Sequence, residues 1–294
     1  MANLFDTDDM YTTANSSASN LVTFLGNHDM GRVGFLLAAN QVDAQKNLLA
    51  RTQFAHALMY LSRGIPTVYY GDEVGMTGSG NGGDQRARQD MFATSVQMWK
   101  QEKRIGASPV GDGDSFRGPE NPIATYIRSL AHLRAKYPAL ANGAMQMRYA
   151  KKNLLIFSKY DISERREFIV AFNSSDRALK YSISTSSTGK WSSVFGKATI
   201  ASTGTKATIS LPPLSASVFV ASEKIKDAKG SILKLEIKED FVTGYRQITA
   251  QMNRLSLQPV IFEMRKENSG TWQDRKSTRL NSSHEWISRM PSSA

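Results

Sequence analysis

Three neighbouring residues, Asn27, His28 and Asp29, carry side chains that can bind polar ligands, and Arg32 follows three positions later. A carboxylate beside an imidazole can stabilise positive charge or hold a hydroxyl group, and a guanidinium can orient a carboxylate or bind a polar ligand. Taken alone, the same residues also fit a structural His–Asp hydrogen bond and a surface salt bridge of Arg32. Their position favours a functional role, because they directly follow the apolar run "LVTFLG" at residues 21–26.

The elements around this triplet predict a parallel sheet. The apolar runs at residues 21–26 and 65–71 have the length of strands and the composition expected of strands buried on both faces. The segment between them has apolar residues at helical spacing, with Asp43 at its N-cap and Gly64 at its end. A strand, a helix and a second strand in this order form a right-handed crossover unit.

The carboxyl ends of two such strands lie at one rim, which carries the active site in closed α/β barrels. We therefore expect the triplet to lie near the segment "YYGDE", which contributes Tyr69, Tyr70, Asp72 and Glu73. Aromatic rings beside carboxylates suit a sugar, because its ring face stacks on aromatic side chains while its hydroxyl groups form hydrogen bonds.

From residue 145 the sequence changes to short runs rich in β-branched and aromatic residues, which predict an antiparallel sandwich or barrel. The expected fold class is therefore α/β followed by all-β. We expect five consecutive segments: the C-terminal part of an α/β barrel at 1–142, a β-sandwich at 143–222, a charged linker at 223–230, a truncated β-domain at 231–273, and a disordered tail at 274–294.

The tail at residues 274–294 shows no hydrophobic periodicity. Its segments "DRKSTRLNSSH" and "SRMPSSA" resemble the conceptual translation of a common sequencing-library adapter. The alternative interpretation is a natural Ser-rich disordered tail. We exclude this segment from the fold prediction, and we expect the β-domain at 231–273, with three predicted strands, to be incomplete.

The chain has 294 residues, a formal charge of +11 and no cysteine, which excludes disulfides and thiolate metal sites. No apolar run approaches the roughly 20 residues of a membrane span, and the N-terminus lacks the pattern of a signal peptide. We therefore expect no membrane partner, and the localisation stays open. We also expect no nucleic-acid partner, because the Lys and Arg residues are scattered and do not form a stripe.

The motifs "FLGNHDMGR" and, about forty residues later, "GIPTVYYGDEVG" resemble the last two barrel strands of the α-amylase family, glycoside hydrolase family 13. The segment "GGDQRARQDMF" at residues 82–92 resembles the loop after the final strand, and "IRSLAHLRAKYPALANG" resembles the closing barrel helix. The strands up to residue 222 resemble the β-sandwich, domain C, that follows this barrel. The resemblance implies a partial (β/α)8 TIM barrel that contains the last two strands.

The resemblance also implies roles for individual residues. Asp29 matches the third catalytic carboxylate, which stabilises the oxocarbenium-like transition state and is neither nucleophile nor proton donor. His28 matches the neighbouring substrate-binding histidine. Asn27 and Arg32 match residues of the same substrate-binding segment, and we place Tyr70 with them as an aromatic residue of the rim.

Three further residues match mainly structural positions of the family. The resemblance implies that Asp72 and Glu73 act as rim scaffolding, and that Arg88 is a salt-bridge partner in the loop after the last strand. It implies no metal site and no cofactor in this chain. Calcium is common in the family, but its usual ligands belong to other parts of the barrel.

The chain departs from the family pattern in one large respect. A retaining glycosidase needs a nucleophile and an acid/base carboxylate about 5 to 5.5 Å apart. The family supplies them from earlier strands, in motifs such as "GFRxD", and neither motif is present in this sequence. We therefore expect a C-terminal fragment of an α-amylase-like enzyme that is inactive alone, while the full-length parent is a retaining glycosidase, secreted or periplasmic, acting on α-1,4-glucans such as starch.

The sequence leaves several alternatives open. One is a non-catalytic carbohydrate-binding or structural module that retains only affinity for sugars. Another is a fragment too incomplete to fold as a unit. Within the family, hydrolases, transglycosylases and isomerases share these motifs, so the parent's reaction also stays open. The sequence does not determine an oligomeric state.

Overall fold

A computed structural model describes most of the chain, and the described residues are 17–39, 44–78, 83–111, 116, 120–226, 232–240, 245–252, 260–264, 273–278 and 285–291. The chain divides into two compact units. Of the described residues, the first unit contains those between 19 and 141 and those at 213–216, and the second contains residues 17 and 18, residues 142–212 and those from 217 onwards. The expected N-cap Asp43 lies outside the described residues. None of the helices in the described ranges is long and apolar enough to cross a lipid bilayer.

In its described residues, the first unit has five helices and two short strands. The helices are α1 (Val33–Ala39), α2 (Ala44–Leu61), α3 (Gln97–Lys100), α4 (Pro122–Lys136) and α5 (Ala139–Asn142), and the strands are β1 (Val22–Phe24) and β2 (Ile65–Thr67). Single 3₁₀ turns form at Ala18–Asn20 and Asp84–Ala87.

Helix α4 has clear signals at its start and holds the end of α2. Asn121 is its N-cap, and the side-chain oxygen accepts a hydrogen bond from the Ile123 amide at 2.8 Å, while Pro122 fits the first turn. Arg134 of α4 donates hydrogen bonds to the carbonyls of Tyr60 at 2.6 Å and Gly64 at 3.0 Å. These bonds satisfy carbonyl groups that the end of α2 leaves without a helical partner.

Strands β1 and β2 pair in parallel, with Val22 opposite Ile65 and Phe24 opposite Thr67. The prediction of a strand–helix–strand unit is therefore confirmed. Gly64 has a φ of +114°, and a Cβ at this position would lie 2.5 Å from Cγ2 of Thr23. Only glycine can adopt this backbone conformation so close to the neighbouring strand without a clash.

The prediction that these strands are buried on both faces is wrong. Val22 is 58% exposed and Phe24 is 44% exposed, and Ile65 on β2 is also exposed. The described residues supply only two parallel strands. The two faces that helices cover in larger parallel sheets therefore stay open here.

The second unit contains an antiparallel two-sheet structure, as predicted. Its strands are β3 (Ala144–Lys151), β4 (Leu154–Asp161), β5 (Arg166–Asn173), β6 (Leu179–Ser184), β7 (Trp191–Phe195), β8 (Thr199–Thr203), β9 (Lys206–Leu211) and β10 (Ser215–Ala221). One sheet has the order β3-β4-β5-β10-β7 and the other β6-β9-β8. Their apolar faces share one core, to which Ile156, Ile169, Ile209 and Phe219 contribute buried side chains.

A buried carboxylate connects three parts of this unit. Glu167 on β5 is fully buried, and Oε1 accepts hydrogen bonds from Arg148 at 2.8 Å and from the Ser158 hydroxyl at 2.6 Å. Its second oxygen, Oε2, accepts bonds from the backbone amides of Ser186 and Ser187. Because every oxygen of the carboxylate has partners, the charge can stay buried.

The described residues after position 226 form five further strands, namely β11 (Ile232–Asp240), β12 (Tyr245–Met252), β13 (Val260–Met264), β14 (Gln273–Thr278) and β15 (Glu285–Pro291). Strand β14 pairs with β13, and β15 pairs with β12. The expectation of a disordered tail is therefore wrong at these two segments, although most other tail residues lie outside the described ranges. A strand edge offers unpaired backbone N–H and C=O groups, and a segment can pair with them without an apolar face.

Helix α2 buries a histidine that has no polar partner. His56 is only 1% exposed, and among the described residues neither ring nitrogen has a hydrogen-bond partner. Burial disfavours the charged imidazolium and lowers the pKa of His56 to about 4. The histidine is therefore neutral in the folded protein over most of the pH range.

This burial predicts a loss of stability in acid. As the pH falls below about 6.5, the unfolded chain takes up a proton on His56, whereas the folded chain does not do so until about pH 4. Between these values the free energy of unfolding should drop by up to about 3 kcal/mol through this residue. His56→Leu should remove that part of the drop, measured by urea unfolding followed by circular dichroism at 222 nm.

The matched control is His132→Leu on α4, because His132 is exposed. It should leave the pH dependence of the free energy of unfolding unchanged. An equal pH dependence in the wild type and His56→Leu would contradict the prediction.

Candidate functional site

The loop after β1 is shaped by the Asn27 side chain. Its oxygen accepts hydrogen bonds from the backbone amides of Asp29 at 2.9 Å and Met30 at 2.8 Å. A backbone bridge between Asn27 and Gly31 closes the same turn. The sequence interpretation placed Asn27 among the substrate-binding residues, but here its oxygen positions the loop that presents His28 and Asp29.

His28 and Asp29 lie in this loop with exposed side chains, 64% and 66% accessible respectively. Nε2 of His28 lies 3.3 Å from Oδ2 of Asp29, and Nη2 of Arg88 lies 3.5 Å from the other oxygen. Arg88 also pairs with Asp84 at 3.0 Å and donates a hydrogen bond to the His28 carbonyl at 3.2 Å. Arg88 is thus a salt-bridge partner as expected, and one of its two carboxylates is Asp29.

Arg32, in contrast, is completely buried. Nη1 donates to Oδ1 of Asp72 at 2.9 Å and to the Tyr70 carbonyl at 2.6 Å, and Nε donates to the side-chain oxygen of Gln89 at 2.9 Å. The predicted contact of Arg32 with a substrate does not fit this position, because no part of the side chain reaches solvent. Its partner Asp72 is a buried scaffold residue, as expected.

Two residues of this network had no role in the sequence interpretation. Gln89 donates a hydrogen bond to Oε2 of Glu102, and Oε1 of Glu102 accepts bonds from the backbone amides of Thr77 at 3.1 Å and Gly78 at 2.5 Å. Gln89 lies in the quoted motif "GGDQRARQDMF", so its polar side chain was a visible signal. Glu102 is 70 positions from Arg32 and follows no pattern that could have identified it.

The two tyrosines after β2 cover the guanidinium. The Arg32 Cζ lies 4.8 Å from the ring centre of Tyr69 and 5.2 Å from that of Tyr70. Nη2 is the one nitrogen of Arg32 without a hydrogen bond, and the electron-rich faces of the two rings compensate the positive charge there. Tyr70 donates its hydroxyl to the Gln89 carbonyl at 2.9 Å, while its ring stays partly exposed. Gly71 has a φ of +88°, and a Cβ at this position would lie 3.0 Å from Nη1 of Arg32. The lack of a side chain at Gly71 therefore leaves space for the guanidinium.

Burial changes the acidity of both carboxyl groups in this network. Loss of solvation raises the pKa of Asp72 to about 6, although the charge and hydrogen bond of Arg32 act in the opposite direction. Burial also raises the pKa of Glu102, against the bonds donated by Gly78 and Gln89. These two carboxyls belong to the scaffold and are not exposed to a ligand.

The described residues contain no group of three or more His, Cys, Asp or Glu side chains that could hold a metal ion. We assign no step to calcium. The arrangement has two layers. An exposed layer of His28, Asp29 and Arg88 can bind hydroxyl groups and stabilise positive charge, while a buried layer around Arg32 fixes the loops beneath it.

Comparison with known proteins shows the family of the chain. The family model described as "Alpha amylase, catalytic domain" matches residues 3–119. An α-amylase of Streptomyces lividans is 33% identical over 279 residues, which cover 92% of this chain and 30% of that protein. This chain belongs to the α-amylase family. A cyclomaltodextrin glucanotransferase of Paenibacillus macerans is 32% identical over 141 residues, 48% of this chain and 15% of that protein.

This member of the α-amylase family spans less than a third of the length of these two relatives. The solved structures that share its fold include two α-amylase-family enzymes. The α-amylase of Anoxybacillus has a TM-score of 0.51 at 21% identity, covering 71% of this chain and 39% of its own. Amy13B of Eubacterium rectale has a TM-score of 0.52 at 20% identity, covering 76% of this chain and 42% of its own. At these identities the likeness concerns the fold alone.

The buried layer predicts a large effect of removing one partner. Asp72→Ala leaves the Arg32 charge in the interior without its counter-charge, so we expect the free energy of unfolding to fall by about 3 to 5 kcal/mol. The double variant Arg32→Met/Asp72→Leu should cost less than the sum of the single variants Arg32→Met and Asp72→Leu, because it removes both charges together. Urea unfolding measures both values.

The matched control is Asp84→Ala, which removes an exposed carboxylate from Arg88. It should change the free energy of unfolding by less than about 1 kcal/mol. If Asp72→Ala is no more destabilising than Asp84→Ala, the buried ion pair is not the anchor of these loops.

Proposed function

We propose that the parent protein is a retaining glycosidase acting on α-1,4-linked glucans, and that this chain contributes Asp29 as the carboxylate that stabilises the transition state. One observation supports this most directly. In a chain of the α-amylase family, Asp29 is exposed in the loop that follows a parallel strand, with His28 and Arg88 on its two oxygens. The expectation that active sites lie at the carboxyl ends of such strands agrees with this position.

The chemistry requires a negative group near the sugar ring. Cleavage of a glycosidic bond passes through an oxocarbenium-like transition state with positive charge on the ring. A carboxylate held in advance near that charge stabilises it more than it stabilises the neutral ground state. Asp29 is held in this way by the loop that Asn27 closes. In this proposal the imidazole of His28 binds a sugar hydroxyl, and the exposed ring of Tyr70 gives an apolar surface for the sugar.

A retaining mechanism needs two further carboxylates about 5 to 5.5 Å apart, one as nucleophile and one as acid/base. Asp84 is held near Asp29 through Arg88, but its pairing with that guanidinium and its place on a 3₁₀ turn suit a loop-holding role. Asp72 and Glu102 are engaged in the buried network. We therefore propose that this chain alone does not hydrolyse starch.

A second candidate is a parent that transfers glucan chains to a sugar acceptor instead of water. The glucanotransferase relative, 32% identical over about half of this chain, supports it. The residues discussed above serve both reactions, because the same charged transition state occurs in each. The product ratio of the parent protein decides between them: mainly longer or cyclic glucans support transfer, and mainly shorter reducing sugars support hydrolysis.

The proposal for Asp29 is tested by binding and by activity of the full chain. Saturation-transfer NMR with maltoheptaose should show weak binding, and Asp29→Ala and His28→Ala should each reduce the signal several-fold. Glu164→Gln, an exposed carboxylate of the second unit, is the matched control and should have no effect. No reducing sugar should be released from starch.

Two results would overturn the proposal. Binding that is equal in the wild type and Asp29→Ala would remove the sugar site from this loop. Release of reducing sugar by the purified chain, lost in Asp29→Asn, would show that the chain contains a complete catalytic group.

A further inference from the structure

The second unit contains a cavity of about 390 Å³, which is within the size range of small-ligand sites. It lies between the tip of the β3–β4 hairpin and the segment that connects β5 to β6, and all of its lining residues lie between positions 149 and 181. None of them belongs to the Asp29 loop. The cavity therefore needs an explanation of its own.

Two tyrosines and two leucines form the apolar part of the cavity wall. The rings of Tyr149 on β3 and Tyr181 on β6 have centres 3.9 Å apart and a tilt of 40°, and both rings pack partly against the core of the unit. Leu154 and Leu179 line the same cavity. Adjoining aromatic and aliphatic surface of this kind can hold the apolar face of a sugar ring.

The rim of the cavity is strongly positive. Its four cationic residues are Lys151, Lys152, Arg177 and Lys180, against a single carboxylate, Asp176. All five are exposed, and in the described part of the chain none of the four cationic side chains forms an ion pair. A concentration of unpaired positive charge around a small cavity attracts an anionic ligand.

The cavity wall is fixed before any ligand arrives. The side-chain amide of Asn173 donates to the carbonyls of Arg177 at 2.7 Å and Pro212 at 2.9 Å, and its oxygen accepts from the Ser175 amide at 3.0 Å. The Ser174 amide donates to the Asn153 carbonyl at 2.9 Å, which joins this wall to the hairpin tip. A site held in this way loses little conformational entropy on binding.

The hairpin tip also carries backbone strain at the rim. Lys152 has a φ of +53°, in the left-handed region that residues other than Gly, Asn and Asp rarely adopt. Strain of this kind costs of order 1 to 3 kcal/mol and is found more often at binding sites than elsewhere. It places a lysine at a turn position where glycine would fit with less strain.

We propose that this cavity binds a pyranose unit that carries a phosphate monoester, either as a free sugar phosphate or within a phosphorylated glucan chain. The tyrosine and leucine surface contacts the sugar ring, and the rim cations bind the phosphate oxygens. The inference goes beyond the role of Asp29 and does not rest on it, because no residue is shared between the two sites.

Isothermal titration calorimetry of the full chain tests the proposal with four probes: glucose 6-phosphate, a phosphorylated maltooligosaccharide, neutral maltoheptaose and inorganic phosphate. We expect glucose 6-phosphate to bind at least tenfold more tightly than inorganic phosphate. Maltoheptaose should not bind at this site, so its heat should be the same in the wild type and the cavity variants. A tighter interaction with the phosphorylated oligosaccharide than with glucose 6-phosphate identifies the chain-borne source.

The cavity variants separate the charge from the aromatic surface. Lys152→Gln and Arg177→Gln should each weaken glucose 6-phosphate binding by about three- to tenfold, because each removes one positive charge from the rim. Tyr181→Ala should weaken glucose 6-phosphate but leave inorganic phosphate unchanged. Lys206→Gln, at the start of β9 and outside the cavity, is the matched control and should change neither.

Three results would overturn the proposal. The first is no binding of either phosphorylated probe, and the second is equal binding of inorganic phosphate and glucose 6-phosphate. The third is binding of maltoheptaose that is lost in Tyr181→Ala, which would make this a neutral glucan site. Asp29→Ala should leave glucose 6-phosphate binding intact, so failure at one site is distinguishable from failure at the other.

Discussion

The exposed loops of the first unit depend on one buried guanidinium. Arg32 has no access to solvent, so its charge requires compensation from within the fold, and Asp72, Gln89 and the Tyr70 carbonyl provide it. These partners come from the loop after β2 and from the segment after the 3₁₀ turn. A charge that must be satisfied from several directions fixes those segments relative to one another more firmly than non-directional apolar contacts do.

The exposed chemistry lies on top of this arrangement. His28 and Asp29 precede Arg32 by only a few residues, so a fixed guanidinium leaves them little freedom, and Asn27 and Arg88 remove much of the rest. The loop can therefore present a carboxylate to solvent in one orientation. Transition-state stabilisation depends on such prior positioning, because a carboxylate that must reorganise during the reaction stabilises the charge less.

The all-β unit also compensates a buried charge with hydrogen bonds from several segments, but the charge is negative. There the central buried charge is the carboxylate of Glu167, and Arg148, two serine amides and a serine hydroxyl surround it. Each unit thus contains a buried charge that several hydrogen bonds from distant segments compensate. Removing one partner of such a charge is costly, because it leaves a buried charge uncompensated.

The sequence by itself determined the local and nearly local features. The alternation of apolar runs and a helical segment gave the parallel pair of β1 and β2, and the short β-branched runs gave the antiparallel strands from β3 onwards. Each of these follows from periodicity within a few residues. The adjacency of His28 and Asp29 after a strand was readable for the same reason.

Only the tertiary structure decided which polar residues face solvent. Arg32 looked like a ligand contact because it stands beside Asp29, yet its side chain turns inward to Asp72, 40 positions away, and Glu102 entered the same network from 70 positions away. The exposure of Val22 and Phe24 also could not be predicted from the sequence. An apolar run shows a preference for burial, but it does not show whether neighbouring elements cover it. Burial and pairing of charges depend on contacts between distant segments, and no local pattern encodes them.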